Sequence, residues 1–570
     1  MAKQMKKADV VLIGVGWTGG ILASELGKKG YKVVGLERGK PQKTADFSMV
    51  HDELRYASRF ELMQDLSKET VTFRNNSGMR ALPMRQYGSF LLGDNLGGAG
   101  MHWNGQTYRF LPYDFEIRSK TIERYGANKI PKDMTLQDWG ITYDEMEKYY
   151  DMFEKTCGIS GEENPLAGKR SNPYPTGPMK TSPTLQLFID ATKKLHLHPY
   201  MSPSANLSEN YTNPDNISRP ACQYCGFCER FGCEYGAKAD PVVTVLPVAQ
   251  KTGNFELRTH SNVIRIEHDG TKATGVTYID TQTGEEFFQP AEVVGVTSYV
   301  MNNVRLLLIS KMGTPYDPNT GRGVIGKNYA YQTNGGSASG FFKKEFNLFA
   351  GAGALGASLD DFNGDNFDHS NLGFLHGGSM STSQTGKRPI ATNSTLPGTP
   401  SWGKEFKAQS VKYANSVLGV SAQGSSMPFK HHYLDLDPTY KDAFGNPLLR
   451  ITFDFEDQDR NLVEYMGKQA ETIMKEMGAD QVFASTKLGP YNIVPYQSTH
   501  NTGGVIMGAD PKTSAINNYL QMWDFENVFI PGASAFAHNS GYNPTGTVGA
   551  LSYRTAEGID KYLKAGGSLV

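Results

Sequence analysis

The first forty residues hold the feature that most constrains the fold, a glycine-rich turn between two apolar runs. The first apolar run covers 9–13, the turn covers 14–19, a helical stretch continues to about Lys29, and the second run covers 31–36. Apolar runs of this length, alternating with a helical segment, are typical of a strand–helix–strand unit with parallel strands. The sequence therefore predicts an α/β fold that begins with a Rossmann-like nucleotide-binding domain.

The three glycines of this turn each have a physical role in binding a dinucleotide. Gly14 permits the tight turn, Gly16 lets the backbone approach a pyrophosphate, and Gly19 lets the helix pack closely against the strand. The helix N-terminus then faces the phosphate groups. Glu37 follows Gly14 by 23 residues, about where an acid contacts the ribose hydroxyls. The alternative is a loop without a ligand, and the motif alone does not distinguish FAD from NAD.

Length and charge limit the classes of protein that this chain can form. With 570 residues the chain is too long for one simple core, so two or more lobes are expected. A net charge of −1 favours neither a nucleic-acid partner nor a polyanion-binding surface. No apolar run of about eighteen residues occurs, so no transmembrane helix is expected. The apolar run after the basic start is the nucleotide-binding strand, so no signal peptide is expected.

Periodicity predicts the other main elements along the chain. An exposed helix is predicted over 45–69, and amphipathic helices are predicted over 143–153, over 458–477 and from about Gly546 to the end. Strands are predicted over 255–266, 273–279, 286–296 and 449–454. The Gly-, Phe- and Asn-rich segment 335–378 is consistent either with strands of a substrate lobe or with loops.

Four of the five cysteines are clustered within twelve residues. Cys222, Cys225, Cys228 and Cys233 follow the spacing Cys-x2-Cys-x2-Cys-x4-Cys, while Cys157 lies apart. Thiolates this close together usually bind a soft metal or a cluster. The spacing is more typical of iron–sulfur sites than of the paired hairpins of structural zinc. A structural zinc ion or two disulfides in an oxidising compartment are the alternatives.

Three landmarks, in order, resemble the glucose–methanol–choline (GMC) flavin oxidoreductases. They are the N-terminal nucleotide-binding turn, a second glycine-rich loop at 97–100, and a C-terminal block that contains two short motifs. In that block His500-x-x-Gly503-Gly504-x-x-Met507-Gly508 is similar to the family's His-x-x-Gly-Thr-x-x-Met-Gly, and Asn543-Pro544-Thr545 matches its second active-site position. Within the family, 222–238 and 530–551 are most similar to the flavoprotein subunits of bacterial membrane-bound sugar and sugar-acid dehydrogenases, especially of the gluconate type.

The resemblance implies an FAD-binding domain of GMC type and a second, α+β substrate domain built on an antiparallel sheet. The FAD-binding domain is expected in three parts, 1–115, 206–335 and 491–570. The substrate domain is expected in two parts, 116–205 and 336–490. The chain is then expected to oxidise an alcohol group of a sugar, polyol or sugar acid.

The family's functional residues can be placed on this sequence one by one. His500 is the expected base, since histidine has an ordinary pKa near neutrality, and Asn543 is expected to orient the substrate oxygen. A loop histidine and a turn asparagine without a catalytic role are the alternatives. His102 in the second loop is a candidate for covalent attachment of the flavin. The residues expected to contact the cofactor are Gly14, Gly16, Gly19, Glu37, Gly97, Gly98, His102, Asn104, Val263, Ala533 and Thr545.

Two positions depart from the family pattern. Gly504 stands where the common residue is Thr, which removes a hydroxyl beside the expected base. Gly532 stands where many relatives carry an Asp near the pyrophosphate. The expected hydrogen-bond pattern around the base and one contact to the cofactor therefore differ from those of the relatives.

The resemblance also implies an electron-transfer path and partner proteins. It favours a [3Fe–4S] cluster on three of the four clustered cysteines, with one cysteine spare. The cluster would pass single electrons from the flavin to a cytochrome c subunit, and a small subunit would carry the export signal. The chain is then expected at the periplasmic face of the bacterial membrane, with the cytoplasm as the alternative. An oxidase that uses oxygen and an electron-transfer protein without an alcohol substrate are the competing functions.

Overall fold

The strand Ala8–Ile13, which precedes the first glycine-rich turn, lies in the interior of the largest sheet of the protein. The structure, a computed structural model, describes residues 2–47, 51–388 and 393–570. Val10, Val11 and Leu12 are fully buried, which explains why this strand is apolar on both faces. Its two neighbours are both parallel to it, Val33–Leu36 on one side and Glu286–Val296 on the other.

The complete sheet combines a parallel and an antiparallel half. The strands in spatial order are Ser261–His268, Ala273–Asp280, Glu286–Val296, Ala8–Ile13, Val33–Leu36 and Phe255–Arg258. Two short strands, Lys3–Gln4 and Val528–Phe529, also pair with Glu286–Val296. The parallel half ends at one edge in the glycine-rich turn and in Glu37, which is where nucleotides bind in open α/β sheets.

A second sheet of six antiparallel strands forms the other lobe. Its strands in spatial order are Gln481–Ser485, Thr333–Phe341, Val417–Gly424, Gly378–Ser383, Gly356–Leu359 and Tyr200–Met201. The helix Asp457–Glu476 covers one face of this sheet and buries its apolar side there. The α/β class, with a second domain on an antiparallel sheet, therefore agrees with the prediction. The five segment boundaries predicted for the two domains stay a prediction.

A small third sheet connects distant parts of the chain. It contains Tyr433–Lys441, Pro447–Thr452, Val71–Arg74 and Leu82–Pro83, in that order, and a separate hairpin pairs Tyr211–Thr212 with Ser218–Arg219. The helices are Trp17–Lys28, Pro112–Phe115, Ile117–Tyr125, Tyr143–Cys157, Pro183–Lys194, Val245–Lys251, Val300–Ile309, Gly403–Lys412, Asp457–Glu476 and Thr545–Ala565. Within the described residues, no helix has both the length and the apolar composition needed to cross a membrane.

The helices and strands with strong periodicity agree with the prediction, and two other segments do not. The prediction of an exposed helix over 45–69 is wrong for the residues that the structure describes. Residues 48–50 of this range lie outside the described residues. A 3₁₀ helix, Thr44–Phe47, and a short π-helix, Leu54–Ser58, replace one long helix. The apolar side chains of this segment are buried against the second glycine loop and the cysteine segment. The predicted strand 255–266 is two strands, because the chain leaves the parallel half of the sheet at His260, where φ is +58°.

Candidate active site

One large cavity lies at the carboxyl ends of the parallel strands, between the two glycine-rich loops. Its volume is about 410 Å³, within the range that small-molecule sites occupy. Residues 13–18 and 97–100 form part of its wall, and the first turn of the C-terminal helix Thr545–Ala565 forms another part. The N-termini of two helices, Trp17–Lys28 and Thr545–Ala565, thus face one cavity, as anion-binding sites require.

Backbone geometry explains why glycine occupies the turn positions. A Cβ atom on Gly19 would lie 2.1 Å from the carbonyl oxygen of Gly14, so any side chain there would force the helix away from the strand. Gly14 itself has φ of +94°, a conformation that other residues rarely adopt. Gly16 lies beside Gly97, where a Cβ on Gly16 would lie 3.6 Å from the Gly97 carbonyl oxygen, and the Gly97 N–H donates to the Val15 carbonyl oxygen at 3.1 Å. The two loops therefore contact each other directly and together form one wall of the cavity, the cofactor slot.

Ten of the eleven residues expected to contact the cofactor line this cavity, and Gly19 does not. Gly19 packs behind the wall against Gly14, which is the role that the sequence assigned to it. The ten lining residues are Gly14, Gly16, Glu37, Gly97, Gly98, His102, Asn104, Val263, Ala533 and Thr545. Both oxygens of Glu37 accept backbone N–H groups, from Val15 at 2.9 Å and Gly39 at 2.9 Å, so this carboxylate also fixes the turn.

His500 and Asn543 also line the cavity, and they contact each other. The Asn543 amide donates to His500 Nε2 at 3.2 Å. On the other side of the ring, His500 Nδ1 lies 3.1 Å from Gln332 Oε1. His500 is thus held from both sides in the wall of the cavity, between the two lobes of the protein.

Gln332 is a functional residue that the sequence did not indicate. Its Nε2 donates to the carbonyl oxygens of Gly424 and Ser540, which can only accept hydrogen bonds. The amide orientation is therefore fixed, and Oε1 must accept from His500 Nδ1–H and from Asn539 Nδ2, at 3.1 and 3.2 Å. With the proton held on Nδ1, Nε2 carries the lone pair, which faces the cavity and accepts the Asn543 amide. Gln332 is fully buried just before the strand Thr333–Phe341 and has no motif around it, so no sequence signal distinguishes it.

The environment of His500 keeps its ring neutral. Part of the ring faces the cavity, but protein surrounds it on all other sides, and this burial lowers its pKa to about 4. No described acidic side chain forms an ion pair with the ring, so nothing offsets the cost of a positive charge there. At neutral pH the imidazole can therefore accept a proton at Nε2.

His102 lies in the wall of the same cavity, directly after the second glycine loop. Its side chain is 5% exposed, and its Nδ1 has no hydrogen-bond partner among the described residues. Burial, and next the charge of Lys238, lower the pKa of His102 to about 3. Buried polar atoms normally have a hydrogen-bond partner. A ligand bound in the cofactor slot would supply the contact that Nδ1 of this neutral ring lacks.

The cysteine segment 222–233 continues into the cavity wall. Glu229 and Arg230 line the cavity, and the Arg230 N–H donates to the His102 carbonyl oxygen at 2.7 Å. The segment has no helix or strand and is held by Gly351, whose carbonyl oxygen accepts the Gly226 N–H at 2.9 Å. The four clustered thiols therefore lie next to the segment that carries His102.

The thiols have properties suited to a metal centre. All five cysteines are free, so the two disulfides considered from the sequence are absent. N–H groups of Tyr224 and Asn206 donate to the sulfur atoms of Cys222 and Cys228, at 3.4 and 3.6 Å, as donors around metal thiolates do. Among the residues that the structure describes, no three thiol sulfurs lie within 4.8 Å of one another. Tetrahedral zinc needs about 3.8 Å between sulfurs, given Zn–S bonds of about 2.3 Å, whereas a multi-iron core separates its thiolates further.

A buried lysine ties the cysteine segment to the second glycine loop. Lys238 is 0% exposed, and its ammonium group donates to the carbonyl oxygens of Met101, Trp103, Cys228 and Phe231, at 2.8–3.1 Å. Two of these carbonyls flank His102 and two belong to the cysteine segment. Burial lowers the pKa of Lys238, and the neighbouring thiols oppose this effect. Lys238 therefore fixes the distance between the two segments that face the cofactor slot and the thiols.

Four other histidines lie outside the cavity. Within the described chain His369, His376, His431 and His432 are absent from the cavity wall, and the last two contact Glu456, at 2.6 and 3.1 Å. These four residues therefore do not meet a substrate that binds in this cavity.

His376 instead joins a buried network behind the site. Nε2 atoms of His376 and His538 approach the same Asp114 oxygen, at 2.6 and 3.1 Å. The Trp139 indole N–H, which can only donate, bonds to His538 Nδ1 at 3.2 Å. The proton of His538 is therefore on Nε2, where it occupies the position that a metal would need. This cluster is a hydrogen-bond network that anchors the segment preceding Asn539 and Asn543.

The two departures from the family pattern differ in position. Gly532 has φ of +108° and lines the cavity, as expected for a residue near the cofactor. Gly504 lies behind the wall with φ of +88°, and a Cβ there would lie 2.5 Å from Val304 Cγ2. In this protein the position therefore has no room for a threonine side chain without a shift of Val304.

The fold and the glycine-rich cavity define a dinucleotide-binding protein with a buried histidine in the cavity wall, and comparison with known families identifies its family. Two family models described as GMC oxidoreductase match residues 137–333 and 428–552. The chain belongs to the GMC oxidoreductase family. The dinucleotide is therefore FAD, and the chain is an FAD-dependent oxidoreductase.

Named relatives extend over the whole chain. The gluconate 2-dehydrogenase flavoprotein of Pantoea cypripedii is 42% identical over 100% of this chain and 96% of its own length. The fructose dehydrogenase large subunit of Gluconobacter japonicus is 25% identical over 99% of this chain and 100% of its own length. The crystal structure of pyridoxine 4-oxidase from Mesorbium loti has a TM-score of 0.59 and 15% identity, and it covers 97% of this chain and 99% of its own. At that identity the likeness concerns the fold alone.

Replacing Lys238 should destabilise the protein. In Lys238→Met the four carbonyl oxygens lose a charged donor inside the protein, so we expect the free energy of unfolding to fall by about 2–4 kcal/mol. Lys272→Met is the control, because Lys272 is exposed, and it should change stability by less than about 0.5 kcal/mol. Chemical denaturation at 25 °C measures both. Equal stability of the two variants would show that the carbonyl contacts of Lys238 contribute nothing.

Proposed function

We propose that this protein is an FAD-dependent dehydrogenase that oxidises an alcohol group of a sugar, polyol or sugar acid, with a gluconate-type substrate favoured. The observation that carries this proposal is the contact of His500 with Gln332 and Asn543 in the wall of the cofactor cavity. The identity of 42% with a protein named gluconate 2-dehydrogenase flavoprotein supports the same substrate class. The polar side chains of Asn334, Gln423 and Gln497 in the cavity wall would suit a ligand with many hydroxyls.

The catalytic step needs a proton acceptor beside the alcohol carbon. When bound, FAD accepts the hydrogen of that carbon together with its electron pair. His500 takes the hydroxyl proton at Nε2, which is unprotonated because Gln332 holds the ring proton on Nδ1. A neutral ring is ready for this transfer, and the Gln332 contact also stabilises the imidazolium that forms.

Asn543 has a second role in this proposal. Its amide donates to His500 Nε2 in the absence of substrate and so occupies the place of the alcohol hydroxyl. When the hydroxyl binds at Nε2, the same amide is free to donate to the alkoxide oxygen as charge develops there. Stabilising charge in the transition state with a pre-positioned donor is a large contribution in many enzymes.

Residues that would hold FAD belong to four parts of the cavity wall. Gly14, Gly16 and the N-terminus of the helix Trp17–Lys28 would face the pyrophosphate, with Glu37 near the ribose. Val263 would contact the adenine through its backbone. Gly97, Gly98, Asn104, Ala533 and Thr545 would surround the remainder. We also propose His102 as the covalent attachment site, because its unpaired, buried Nδ1 supports a bond to the flavin.

The cysteine segment is proposed to hold an iron–sulfur cluster, [3Fe–4S], on three of its four thiols. Two contacts keep this segment beside the residues around His102. The backbone N–H of Arg230 donates to the His102 carbonyl oxygen, and Lys238 donates to carbonyl oxygens of both segments. A cluster there would release singly the electrons that the flavin receives in pairs.

Partner subunits follow from this electron path. Two relatives carry the words "flavoprotein" and "large subunit" in their names, which implies further subunits in those enzymes. For this chain we propose a cytochrome c subunit as acceptor and a small subunit that carries an export signal. The complex would then work at the periplasmic face of the membrane.

Loss of the base should stop substrate oxidation without loss of cofactor. In His500→Ala we expect flavin reduction by D-gluconate to slow by at least about a thousandfold, since base and transition-state contacts are lost together. The flavin absorbance per protein should stay unchanged. The control His198→Ala alters an exposed histidine outside the cavity and should keep full activity. Stopped-flow absorbance measures the rate, and retained reduction in His500→Ala would refute the proposal.

The pH dependence of flavin reduction should report the low pKa of His500. Neutral imidazole is the active form, so the rate should be constant near neutrality and fall as the pH drops through about 4. One unit below that pKa the rate should be about tenfold lower. Mixing enzyme kept at neutral pH into acidic substrate in a stopped-flow instrument limits acid unfolding. An acid limb with an apparent pKa near the ordinary histidine value would contradict this assignment.

Iron analysis and EPR test the proposed cluster. The purified protein should contain iron with an EPR signal that disappears on reduction by substrate. Single Cys→Ser changes at 222, 225, 228 and 233 should abolish the signal in three variants and spare it in one, and Cys157→Ala should retain it. Zinc in place of iron would contradict the cluster. Rapid peroxide formation in air, without an added acceptor, would favour the oxidase instead.

A further inference from the structure

Three arginines line the cavity, and two of them are neutralised by acids. Arg38 and Arg305 share Glu69, at 3.0 and 2.9 Å, and Arg305 also pairs with Asp442 at 2.6 Å. Arg230 differs, because it forms no ion pair with an acidic side chain anywhere in the described chain. The cavity therefore contains one guanidinium group that no described acidic side chain pairs with at salt-bridge distance.

The guanidinium of Arg230 is held in place while most of its donors stay free. Nη1 donates to the Ala57 carbonyl oxygen at 3.2 Å. The guanidinium carbon Cζ lies over the rings of Tyr496 and Phe60, 4.8 and 5.6 Å from their centroids. An arginine side chain has five N–H donors, so four remain for a ligand. Stacking on two rings orients the group in advance, and this lowers the entropy cost of binding an anion.

The backbone of Arg230 also indicates a functional position. Its φ is +73°, in the left-handed region that side chains other than glycine rarely adopt. Its N–H donates to the His102 carbonyl oxygen, so the strained residue is fixed against the cofactor loop. Backbone strain of this kind is typically retained at binding sites.

We propose that Arg230 binds the carboxylate of the substrate, so that this site takes an anionic polyhydroxy acid rather than a neutral polyol. This inference rests on the proposed function, since it names the substrate class of the same cavity. The planar guanidinium matches a carboxylate in bidentate geometry. Arg230, its partner Tyr496 and the base His500 all line this one cavity, so a ligand bound there has the guanidinium and the base in the same wall.

The charges near Arg230 also explain how the site selects among acids. Glu229 lines the cavity beside it, and its side chain is engaged by the Tyr496 side chain. A monoacid places its single carboxylate on Arg230, whereas a second carboxylate of a diacid would meet Glu229. The site therefore favours monocarboxylates with hydroxyl groups along the chain.

The test compares two substrates that differ only at one end of the carbon chain. D-gluconate carries a carboxylate where D-sorbitol carries a hydroxymethyl group. Flavin reduction is followed by stopped flow in the wild type, in Arg230→Gln, in Arg230→Lys and in the exposed control Arg322→Gln. Arg230→Gln should raise the half-saturating D-gluconate concentration by about 10- to 100-fold, as expected for loss of charged hydrogen bonds. The limiting reduction rate should change little, and Arg230→Lys should recover part of the loss.

The neutral substrate separates recognition from damage to the site. Half-saturation by D-sorbitol should be the same in the wild type and in Arg230→Gln, and flavin and iron contents should also match. A D-gluconate response in Arg230→Gln equal to that of the wild type overturns the inference and leaves the proposed function intact. The same holds if the wild type prefers D-sorbitol to D-gluconate. If neither substrate, nor fructose or glucose, reduces the wild-type flavin, the proposed function itself fails.

Discussion

The close approach of two glycine loops is the constraint on which the rest of this structure depends. The turn at 14–19 and the loop at 97–100 meet backbone to backbone, because the Gly97 N–H donates to the Val15 carbonyl oxygen at 3.1 Å. Within the turn, a Cβ at Gly19 would lie 2.1 Å from the Gly14 carbonyl oxygen, so glycine there lets the helix Trp17–Lys28 pack on the sheet. The two loops together form the wall of the cofactor slot. The elements that supply His102 and Asn543 are positioned around that slot. The placement of these two residues therefore depends on glycine, which has no side chain, in both loops.

Much of the fold and part of the site could be predicted because their signals are local. The nucleotide-binding turn is a short motif between two apolar runs, and the helices Tyr143–Cys157 and Asp457–Glu476 have clear amphipathic periods and capping residues. His500 and Asn543 are predicted from two short motifs whose residues and spacing resemble those of a known family. The prediction of a helix over 45–69 is wrong, because the apolar residues of this segment contact two distant loops instead of forming one helical face.

The rest of the site depends on contacts between distant residues, and no local pattern reports them. Gln332 lies 168 residues before His500, yet its amide orientation determines which ring nitrogen of His500 is free. Lys238 looks like an ordinary lysine at the end of the cysteine motif, but four carbonyl oxygens surround it. Arg230 is one of many arginines, and its lack of a counter-ion appears only when the surrounding acids are placed. Each of these roles is defined by the burial of the residue and by its contacts in the folded protein. The order of residues along the chain shows neither.

The order of strands in the large sheet has a consequence for how this protein is made. The central strand Glu286–Val296 pairs on one end with Val528–Phe529, and the final helix Thr545–Ala565 packs against the first helix of the chain. The nucleotide-binding half is therefore incomplete until the segment 528–565 has left the ribosome. Cofactor insertion must follow the synthesis of that segment, and a chain that lacks it would keep the nucleotide turn but could not close over its flavin.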